Sequence, residues 1–479
     1  MLRVRPFWVH HKAFLFKRTL TSHIPQHDTI FALSSAPGKA GIAVIRISGP
    51  KALTALKTMT HSSLSPRQAL FTRIYNPHTS ETLDRGLALW FPGPRSFTGE
   101  DVAELHVHGG VAIVRAVLDA LGKFEGFRMA ERGEFARRAF DNDKLDLTEV
   151  EGLVDLINAE TEAQRKQALR QAEGSLKTLY EGWRRELIEC MALVEAIIDF
   201  GEDENIEEGV FEQVSRKVKE LFNSLNNHLN DNRRGEILRS GIHVALFGPP
   251  NAGKSSILNR LAQREAAIVS PIPGTTRDVV ELSLDLGGYP VLVGDTAGLR
   301  ETRDVIEEEG VRRAKRKIEA ADLRVCVLPA DEIGDHVPVD AVVRECIDKE
   351  TVCLVNKIDL LSSNKLALSA LKTLPTSKIW PISCVTGEGF PQFLSSFVSL
   401  LKDRFDTHAF NTPLITQTRH RKELSECAEA LQAFFENEGD VVLAAEELRR
   451  GALALGRVTG RVDVEEVLDV IFREFCIGK

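Results

Sequence analysis

The spacing of hydrophobic residues divides the chain into segments of different predicted structure. From Thr29 to Asp143, short β-branched or alternating runs bounded by Gly and Pro, such as AGIAVIRISG and AELHVHGG, predict strands. One stretch among them, 111–124, has helical spacing. From Leu145 to Ser240 the chain contains no proline, and its apolar residues recur at steps of three and four. The first segment is therefore predicted to be α+β and the second all-α.

Strands and helices alternate from Ile242 to about Leu401. The six predicted strands are nearly continuously apolar: IHVALFG, ELSLDL, YPVLVGD, LRVCVLPA, TVCLVNK and KIWPIS. This pattern predicts a parallel sheet covered on both faces by helices. After Pro413 the chain is again proline-free with helical spacing. We therefore expect one discontinuous all-α domain into which the α/β domain is inserted.

The first 27 residues differ in composition from the rest. They hold five Lys or Arg, four His and no acidic residue, as is typical of a mitochondrial transit peptide; a disordered basic tail is the alternative. The net charge of the whole chain is −8, which argues against a broad, non-specific nucleic-acid binder. No apolar run approaches the roughly 18 residues of a membrane span. Seven scattered cysteines without a CxxC motif exclude a disulfide scaffold and suit a reducing compartment.

Three motifs in the α/β segment predict phosphate and magnesium chemistry. GPPNAGKS, 248–255, matches the phosphate-loop pattern between a predicted strand and a predicted helix. Lys254 is expected to reach the β- and γ-phosphates, and Ser255 to ligate Mg²⁺. In DTAG, the Asp295 carboxylate can hold Mg²⁺ through water and the Gly298 N–H can meet the γ-phosphate. In PGTTRD, which lies between the two, Thr276 is the second expected Mg²⁺ ligand.

Two further motifs predict recognition of guanine. The Asp359 carboxylate of NKID can accept from both N1–H and the 2-amino group of guanine, a pair of donors that adenine lacks. SCVTG, which begins at Ser383, is expected to close over the base. Five elements in this order predict a GTPase. Its expected GTP-binding residues are Asn251, Ala252, Gly253, Lys254, Ser255, Ser256, Ser270, Thr275, Thr276, Asp295, Thr296, Ala297, Gly298, Asn356, Lys357, Asp359 and Ser383.

The residue after DTAG is Leu299, where small regulatory GTPases place a glutamine that orients water. Leucine has no hydrogen-bonding group, so another residue must hold the attacking water. The available carboxylates are Glu301, Asp304, Glu307, Glu308 and Glu309. Alternatively, these acids form only a solvated helix start, where they suit the helix dipole.

Residues outside the nucleotide motifs leave several alternatives open. His106 and His108 are candidate metal ligands, although packing or hydrogen bonding is the favoured interpretation without a third ligand. Cys476 is a candidate catalytic residue or a free thiol. Four arginines could contact RNA phosphate or form a solvated helix face: Arg128, Arg132, Arg137 and Arg138.

Several motifs together resemble the MnmE (TrmE) family of tRNA-modifying GTPases, from Asp28 to Lys479. They are SFTGEDVAELHVHGG, GEFARRAFDNDKLDL, GPPNAGKSS, REAAIV, PGTTRD, DTAGLRE and the terminal FCIGK. The resemblance implies a tetrahydrofolate-binding domain (28–143), a helical domain in two parts (144–240 and 404–479) and an inserted GTPase domain (241–403). The presequence (1–27) suggests the mitochondrial branch of the family.

The resemblance also implies an activity, cofactors and partners. Such proteins, with the FAD-dependent partner MnmG, add a carboxymethylaminomethyl or taurinomethyl group to carbon 5 of the wobble uridine of tRNA. They use GTP, Mg²⁺, K⁺ and 5-formyl- or methylene-tetrahydrofolate, and we expect a homodimer in the mitochondrial matrix. The alternative is a ribosome-assembly GTPase, which shares PNAGKS and GTTRD but usually carries a basic RNA-binding appendage.

Site residues follow from the same resemblance. The expected folate contacts are Arg46, Glu104, Lys144 and Lys479. Glu307 matches the catalytic glutamate of the family. The expected K⁺ ligands are Asn251, Ser270, Ile272 and Thr275.

Overall fold

We describe the chain from a computed structural model. The structure describes residues 28–200, 209–264, 281–295, 305–333, 337, 339, 341–361, 368–376, 378–405, 413–462 and 465–479. The predicted transit peptide and most of the acidic run 201–209 lie outside these residues. The chain divides into two compact units, Met1–Val150 with Gly456–Lys479, and Glu151–Leu455. In the part that is described, no helix has the length and apolar character needed to cross a bilayer.

The first unit is built on a six-stranded sheet with the order β3-β4-β5-β2-β1-β6, antiparallel except for the parallel pair β1 and β6. Its strands are β1 (Thr29–Leu33), β2 (Ala40–Ser48), β3 (Leu70–Tyr75), β4 (Thr82–Phe91), β5 (Val102–Gly109) and β6 (Phe127–Met129). Its helices include α1 (Ala52–Thr60), α2 (Val111–Leu121), α3 (Glu134–Asp141) and α16 (Glu465–Arg473). The α+β prediction for this segment agrees with these elements.

Alternation along the strands gives this sheet two different faces. Ile45, Ile47 and Leu105 point to one face and pack with residues of α1 and α2 in the core. The intervening residues Arg46 and Glu104 point to the opposite face, because successive side chains of a strand alternate. The candidate folate residues of these strands therefore lie outside the main core.

The last residues of the chain dock on the first unit. Ile477 forms a β-bridge with Arg132, and Ser34 Oγ donates to Gly478 O at 2.8 Å. Gly478 has φ +98°, and a Cβ there would lie 2.2 Å from Leu33 O, so only glycine fits this contact. The segment Gly456–Lys479 therefore belongs to the first compact unit.

The α/β part of the second unit has the strand order β12-β11-β10-β7-β9-β8. Its strands are β7 (Ile242–Phe247), β8 (Glu281–Leu286), β9 (Tyr289–Asp295), β10 (Leu323–Pro329), β11 (Val352–Asn356) and β12 (Ile379–Pro381). Helices α9 (Lys254–Arg264), α10 (Val305–Ala320), α11 (Ala341–Glu345), α12 (Leu368–Leu371) and α13 (Phe390–Phe405) accompany them. Buried clusters lie on both faces of the sheet, as predicted.

The expectation of a wholly parallel sheet is wrong for one strand. Strand β8 pairs antiparallel with β9, whereas the other pairs are parallel. Only Gly287 and Gly288 connect the two strands, both with positive φ. A two-residue connection makes a hairpin, because parallel neighbours need a long crossover.

The remaining helices are α4 (Leu147–Asn158), α5 (Glu162–Ala172), α6 (Ser175–Phe200), α7 (Val210–Leu229), α8 (Arg234–Ser240), α14 (Thr418–Glu436) and α15 (Val441–Thr459). Helix α14, which follows the α/β segment, packs against α7, which precedes it. The buried carboxylate of Glu151 on α4 likewise accepts from Arg419 at 2.9 Å and from His420 at 2.6 Å. Burial alone would raise the pKa of Glu151, but these two partners hold it below its ordinary value.

Candidate functional site

The phosphate loop follows β7 and leads directly into α9. At the end of β7, Gly248 has φ +143°, and a Cβ there would lie 2.2 Å from Val327 O on β10. Asn251 adopts the left-handed region at φ +60° and is exposed, and Gly253 has φ +98°. These conformations turn the chain sharply before the first turn of α9, so that the free N–H groups of that turn can face an anion.

Lys254 lies inside the curve of this loop. Its Nζ donates to the carbonyl oxygens of Gly248 at 3.0 Å and Pro249 at 2.9 Å. The ammonium is buried, whereas the neighbouring Ser255 and Ser256 are exposed. The structure therefore brings together the expected phosphate-binding lysine and an accessible hydroxyl at the N-terminus of one helix.

Asn356 joins the end of β11 to the phosphate loop. Its Nδ2 donates to Ala252 O at 2.9 Å, and its Oδ1 accepts from Cys384 N at 3.1 Å. The side chain is buried, and a Cβ on Gly253 would lie 2.1 Å from its Nδ2. This one amide therefore holds the phosphate loop and the predicted base-closing loop at fixed positions.

Asp359 is exposed and is oriented by the loop that follows β12. Ser383 Oγ donates to Asp359 Oδ1 at 2.5 Å and itself accepts from the backbone N–H groups of Val385 and Thr386. Lys357, at φ +68°, places its Nζ 3.5 Å from Asp331. The four predicted guanine-site residues are thus brought to one edge of the sheet.

Sequence reasoning missed Arg260, a residue of α9. Its guanidinium donates to Cys384 O and lies 5.5 Å from the centre of the Phe390 ring. A Cβ on Gly387 would lie 2.2 Å from its Nη2. Arg260 therefore braces the loop over the base site from the helix that starts at the phosphate loop. No motif marks it, because its partner is a backbone oxygen more than a hundred residues away.

Several predicted nucleotide and metal residues lie outside the described part of the chain. They are Ser270, Ile272, Thr275, Thr276, Thr296, Ala297 and Gly298. Asp295 is the last residue of β9 and Glu307 the third residue of α10, but their side chains are also outside the described part.

A second polar cluster lies in the first unit, on the sheet face away from the main core. Arg46 Nε donates to Glu104 Oε1 at 3.1 Å, and His106 Nε2 lies 3.2 Å from Glu104 Oε2. The side chains of Arg46 and Glu104 are each 16% exposed. The Arg46 guanidinium lies 5.3 Å from the Phe97 ring centre and 5.8 Å from that of Phe135. The pair is therefore fixed in place but open to a ligand.

Lys479 joins this cluster from the other end of the sequence. The docking of Ile477 and Gly478 places Lys479 close enough for its charge to interact with those of Arg46 and Glu104. Burial and the Arg46 guanidinium lower the pKa of its ammonium. Lys144 lies beside the neighbouring loop, since a Cβ on Gly99 would be 3.3 Å from its Cγ. Cys476 is an exposed free thiol.

The two histidines of strand β5 each lie beside a carboxylate. His108 pairs with Asp84 at 2.9 Å, and the described residues contain no group of three or more side chains suited to a metal ion. Each histidine thus meets a carboxylate, His106 that of Glu104 and His108 that of Asp84.

Two of the four candidate RNA-binding arginines serve the fold. Arg138 is buried and pairs with Asp28 at 2.8 Å and with Glu100 at 3.1 Å. Arg128 pairs with Asp28 and Glu134. RNA contact is excluded for Arg138 by its burial and is disfavoured for Arg128 by its two carboxylate partners.

The strand order, the phosphate loop after β7 and the guanine-site residues after β11 and β12 define a P-loop GTPase. The family model of the MnmE helical domain matches residues 147–476, and that of the GTP-binding protein TrmE N-terminus matches residues 29–144. The chain therefore belongs to the MnmE family of GTPases.

Individual relatives match over nearly the full chain. The chain is 51% identical to the mitochondrial 5-taurinomethyluridine-tRNA synthase subunit GTPB3 of Danio rerio, over 98% of this chain and 96% of that protein. It is 51% identical to the tRNA modification GTPase MnmE of Parvibaculum lavamentivorans, over 94% of this chain and 100% of that protein. The mitochondrial GTPB3 of Homo sapiens is 49% identical, over 94% of this chain and 93% of that protein.

Proposed function

We propose that this protein is the GTP-hydrolysing component of the mitochondrial machinery that modifies the wobble uridine of tRNA. It acts with an FAD-dependent MnmG-type protein to add an aminomethyl-type group, carboxymethylaminomethyl or taurinomethyl, at carbon 5 of the base. The observation that carries the proposal is the presence in one chain of a guanine-nucleotide site and of a separate polar cluster, Arg46, Glu104 and Lys479. The mitochondrial relatives, named as subunits of a 5-taurinomethyluridine-tRNA synthase, support the substrate, a partner and a mitochondrial location, for which we propose the matrix.

The nucleotide site contributes positioning and charge. Lys254 offers its ammonium to the phosphates, Asn356 holds the loop that wraps them, and Asp359 accepts from guanine. Ser255 fits Mg²⁺ because its hydroxyl is exposed at the start of α9, and the exposed amide of Asn251 fits a role as K⁺ ligand. The two cations, when bound, would stabilise negative charge that develops on the phosphates.

Glu307 is proposed to position the attacking water, because Leu299 has no group that could do so. Glu307 lies in the first turn of α10, the helix that follows DTAG. A single carboxylate held near the γ-phosphate would orient the attacking water, as the glutamine does in other GTPases, and could also accept a proton from it.

The polar cluster of the first unit fits a tetrahydrofolate. Glu104 can accept from the aminopyrimidine edge of a pterin, and the cations of Lys479 and Lys144 can meet the carboxylates of the glutamate tail. Arg46 and His106 hold Glu104 from both sides, so its carboxylate needs no rearrangement to accept a ligand. The folate supplies the one-carbon unit when bound.

A homodimer is proposed on the open face of the first unit's sheet. Phe71 on β3 is opposite Leu87 on β4, which is opposite His106 on β5, so all three share one face. Phe71 is 60% exposed on this face. The homodimer itself is proposed from the family resemblance, and Phe71 is the exposed aromatic side chain of this face that a second copy could cover.

The experiment that tests the proposed function is nucleoside mass spectrometry of mitochondrial tRNA from cells that lack the protein. We expect the wobble uridine to lose its carbon 5 substituent and to regain it when the gene is restored. An unchanged wobble nucleoside together with defective ribosomal subunits would instead establish the ribosome-assembly alternative.

A further inference from the structure

The side chain of Arg260 is placed at a cost that the stability of the fold does not explain. The residue is half-buried, and its guanidinium donates to a neutral acceptor, the carbonyl oxygen of Cys384. Its Nε is buried and has no hydrogen-bond partner within the described part of the chain. A desolvated cation that meets a neutral oxygen gains less than an ion pair does, and the unpartnered N–H adds a penalty. We therefore examine what the contact with Cys384 controls.

Cys384 belongs to the base-closing loop, residues 383–387. The loop is closed on itself, because Gly387 N donates to Ser383 O at 2.9 Å. Val385, at its tip, is 82% exposed, so packing of the tip contributes little to holding the loop. The loop is thus a compact turn whose position depends on the hydrogen bonds at Cys384.

Two side chains hold the backbone of Cys384 from different directions. Asn356 Oδ1 accepts from Cys384 N at 3.1 Å, and Arg260 donates to Cys384 O. A single anchor would leave the loop free to rotate about that bond, whereas two anchors on one residue fix its orientation as well. Arg260 therefore supplies the part of the restraint that Asn356 alone does not.

Arg260 refers this restraint to the phosphate loop. Helix α9 begins at Lys254, and Arg260 lies six residues later on the same helix, less than two turns away. Ile257 and Leu261, on either side of Arg260 in sequence, are buried in the core under the sheet. The helix is therefore a rigid support that sets the distance between the phosphate loop and the base-closing loop.

The restraint continues to the residue expected to read the base. Ser383, which precedes Cys384, donates from its Oγ to Asp359 Oδ1 at 2.5 Å. Burial raises the pKa of the Cys384 thiol to about 11, and the charges of Arg260 and Asp359 act on the same thiol in opposite directions, so the three groups lie together. A shift of the loop would move Ser383 Oγ and so rotate the Asp359 carboxylate.

We propose that Arg260 is a positioning residue for guanine recognition, an inference that rests on the proposed contact of Asp359 with the base. By holding the Cys384 carbonyl, Arg260 keeps the Asp359 carboxylate oriented so that both oxygens meet a donor, N1–H and the 2-amino group. Hypoxanthine has N1–H but lacks the 2-amino group. Loss of this orientation therefore weakens guanine more than hypoxanthine, and Arg260 acts on selectivity as well as on affinity.

The test compares the binding of guanosine diphosphate (GDP) and inosine diphosphate (IDP), whose base is hypoxanthine, to the full chain. Competition against a fluorescent guanine nucleotide gives both dissociation constants. Arg260→Met, which removes the donors but retains an unbranched side chain, is expected to lower GDP affinity about tenfold and the preference for GDP over IDP about fivefold. Arg260→Lys keeps a donor for Cys384 O and is expected to recover part of the preference.

Arg324→Met is the matched control. Arg324 is also half-buried, but it lies at the start of β10, at the opposite end of that strand from the nucleotide site, and pairs with Asp348 at 2.9 Å. The control is expected to leave both dissociation constants unchanged. Thermal transitions verify that each variant is folded, and Arg260→Gln, whose side chain is shorter, gives the same comparison if Arg260→Met does not fold.

Two results would overturn the proposal. One is a wild-type preference for GDP over IDP in Arg260→Met, and the other is an equal loss of affinity for both nucleotides, which a purely structural role predicts. Asp359→Asn distinguishes the two levels of the inference. If that variant loses the guanine preference while Arg260→Met keeps it, only the role of Arg260 fails. If Asp359→Asn keeps the guanine preference, the proposed contact with the base itself fails.

Discussion

Replacing Asn356 by alanine should separate the two loops of the nucleotide site. The change removes the side-chain donor to Ala252 O and the side-chain acceptor of Cys384 N. A buried backbone group left without a partner costs about 1–3 kcal/mol, so the two together cost about 2–6 kcal/mol. One part of this cost lowers the stability of the folded protein, and the other part lowers nucleotide affinity because the loops are no longer held in position.

Two measurements follow the two parts of the cost. Titration with a fluorescent guanine nucleotide gives the dissociation constant, and the thermal transition with and without nucleotide gives the stability. If half of the cost, about 1–3 kcal/mol, appears in binding, the affinity falls by about fivefold to 150-fold, since 1.4 kcal/mol corresponds to a factor of ten. The thermal transition without nucleotide should also move to a lower temperature.

Asn142→Ala is the matched control. Asn142 also uses its Nδ2 to bond a backbone oxygen, that of Thr98 at 2.7 Å, but it lies in the first unit. Its loss should lower the thermal stability and leave the nucleotide dissociation constant unchanged. The reasoning is refuted if Asn356→Ala binds guanine nucleotide with wild-type affinity, or if the two variants lose affinity equally.

Three further predictions concern the nucleotide chemistry. Asp359→Asn should lower the affinity for GTP by about 10²–10⁴-fold, since two hydrogen bonds to a charged group are lost, and should allow xanthine nucleotide to bind. Competition binding would measure both effects, and a retained preference for guanine would contradict the prediction. Asn251→Ala should abolish the stimulation of hydrolysis by K⁺ with little change in nucleotide binding, whereas equal wild-type turnover in Na⁺ and K⁺ would exclude the proposed ion. Glu307→Ala should lower turnover by about 10²–10⁴-fold at nearly unchanged GTP affinity, and Glu308→Ala and Glu309→Ala should have mild effects; wild-type turnover of Glu307→Ala would mean that another group holds the water.

The elements that were predictable from sequence are those whose pattern is local. The six α/β strands could be located because five of them are largely apolar runs and the sixth, β8, alternates polar and apolar residues. The phosphate loop could be located because its residues are contiguous. Strand β6 has only three residues, Phe127–Met129, and is held by parallel pairing with β1, so it has no periodicity to detect. The antiparallel direction of β8 depends on the two-glycine connection that a strand pattern alone does not include.

The contacts that could not be predicted are those made by tertiary pairing. Arg46 and Glu104 are neighbours because β2 and β5 pair in a particular register, which the sequence does not reveal across a separation of 58 residues. His106 reaches the same carboxylate because it lies two residues further along the strand. The position of Lys479 was expected only through the family resemblance, and its physical basis is the docking of Gly478 on Leu33.

The most direct test of the central claim is to follow an isotopically labelled one-carbon unit into mitochondrial tRNA. Cells that lack the protein are complemented with the wild-type chain, with Glu104→Gln or with Asp359→Asn, and are supplied with a carbon-13 donor for folate. We expect the label in the carbon 5 substituent of the wobble uridine with the wild-type chain, and little modified nucleoside with either variant. Fully modified wobble uridine in cells without the protein, or labelled nucleoside at wild-type levels with Glu104→Gln, would contradict the account.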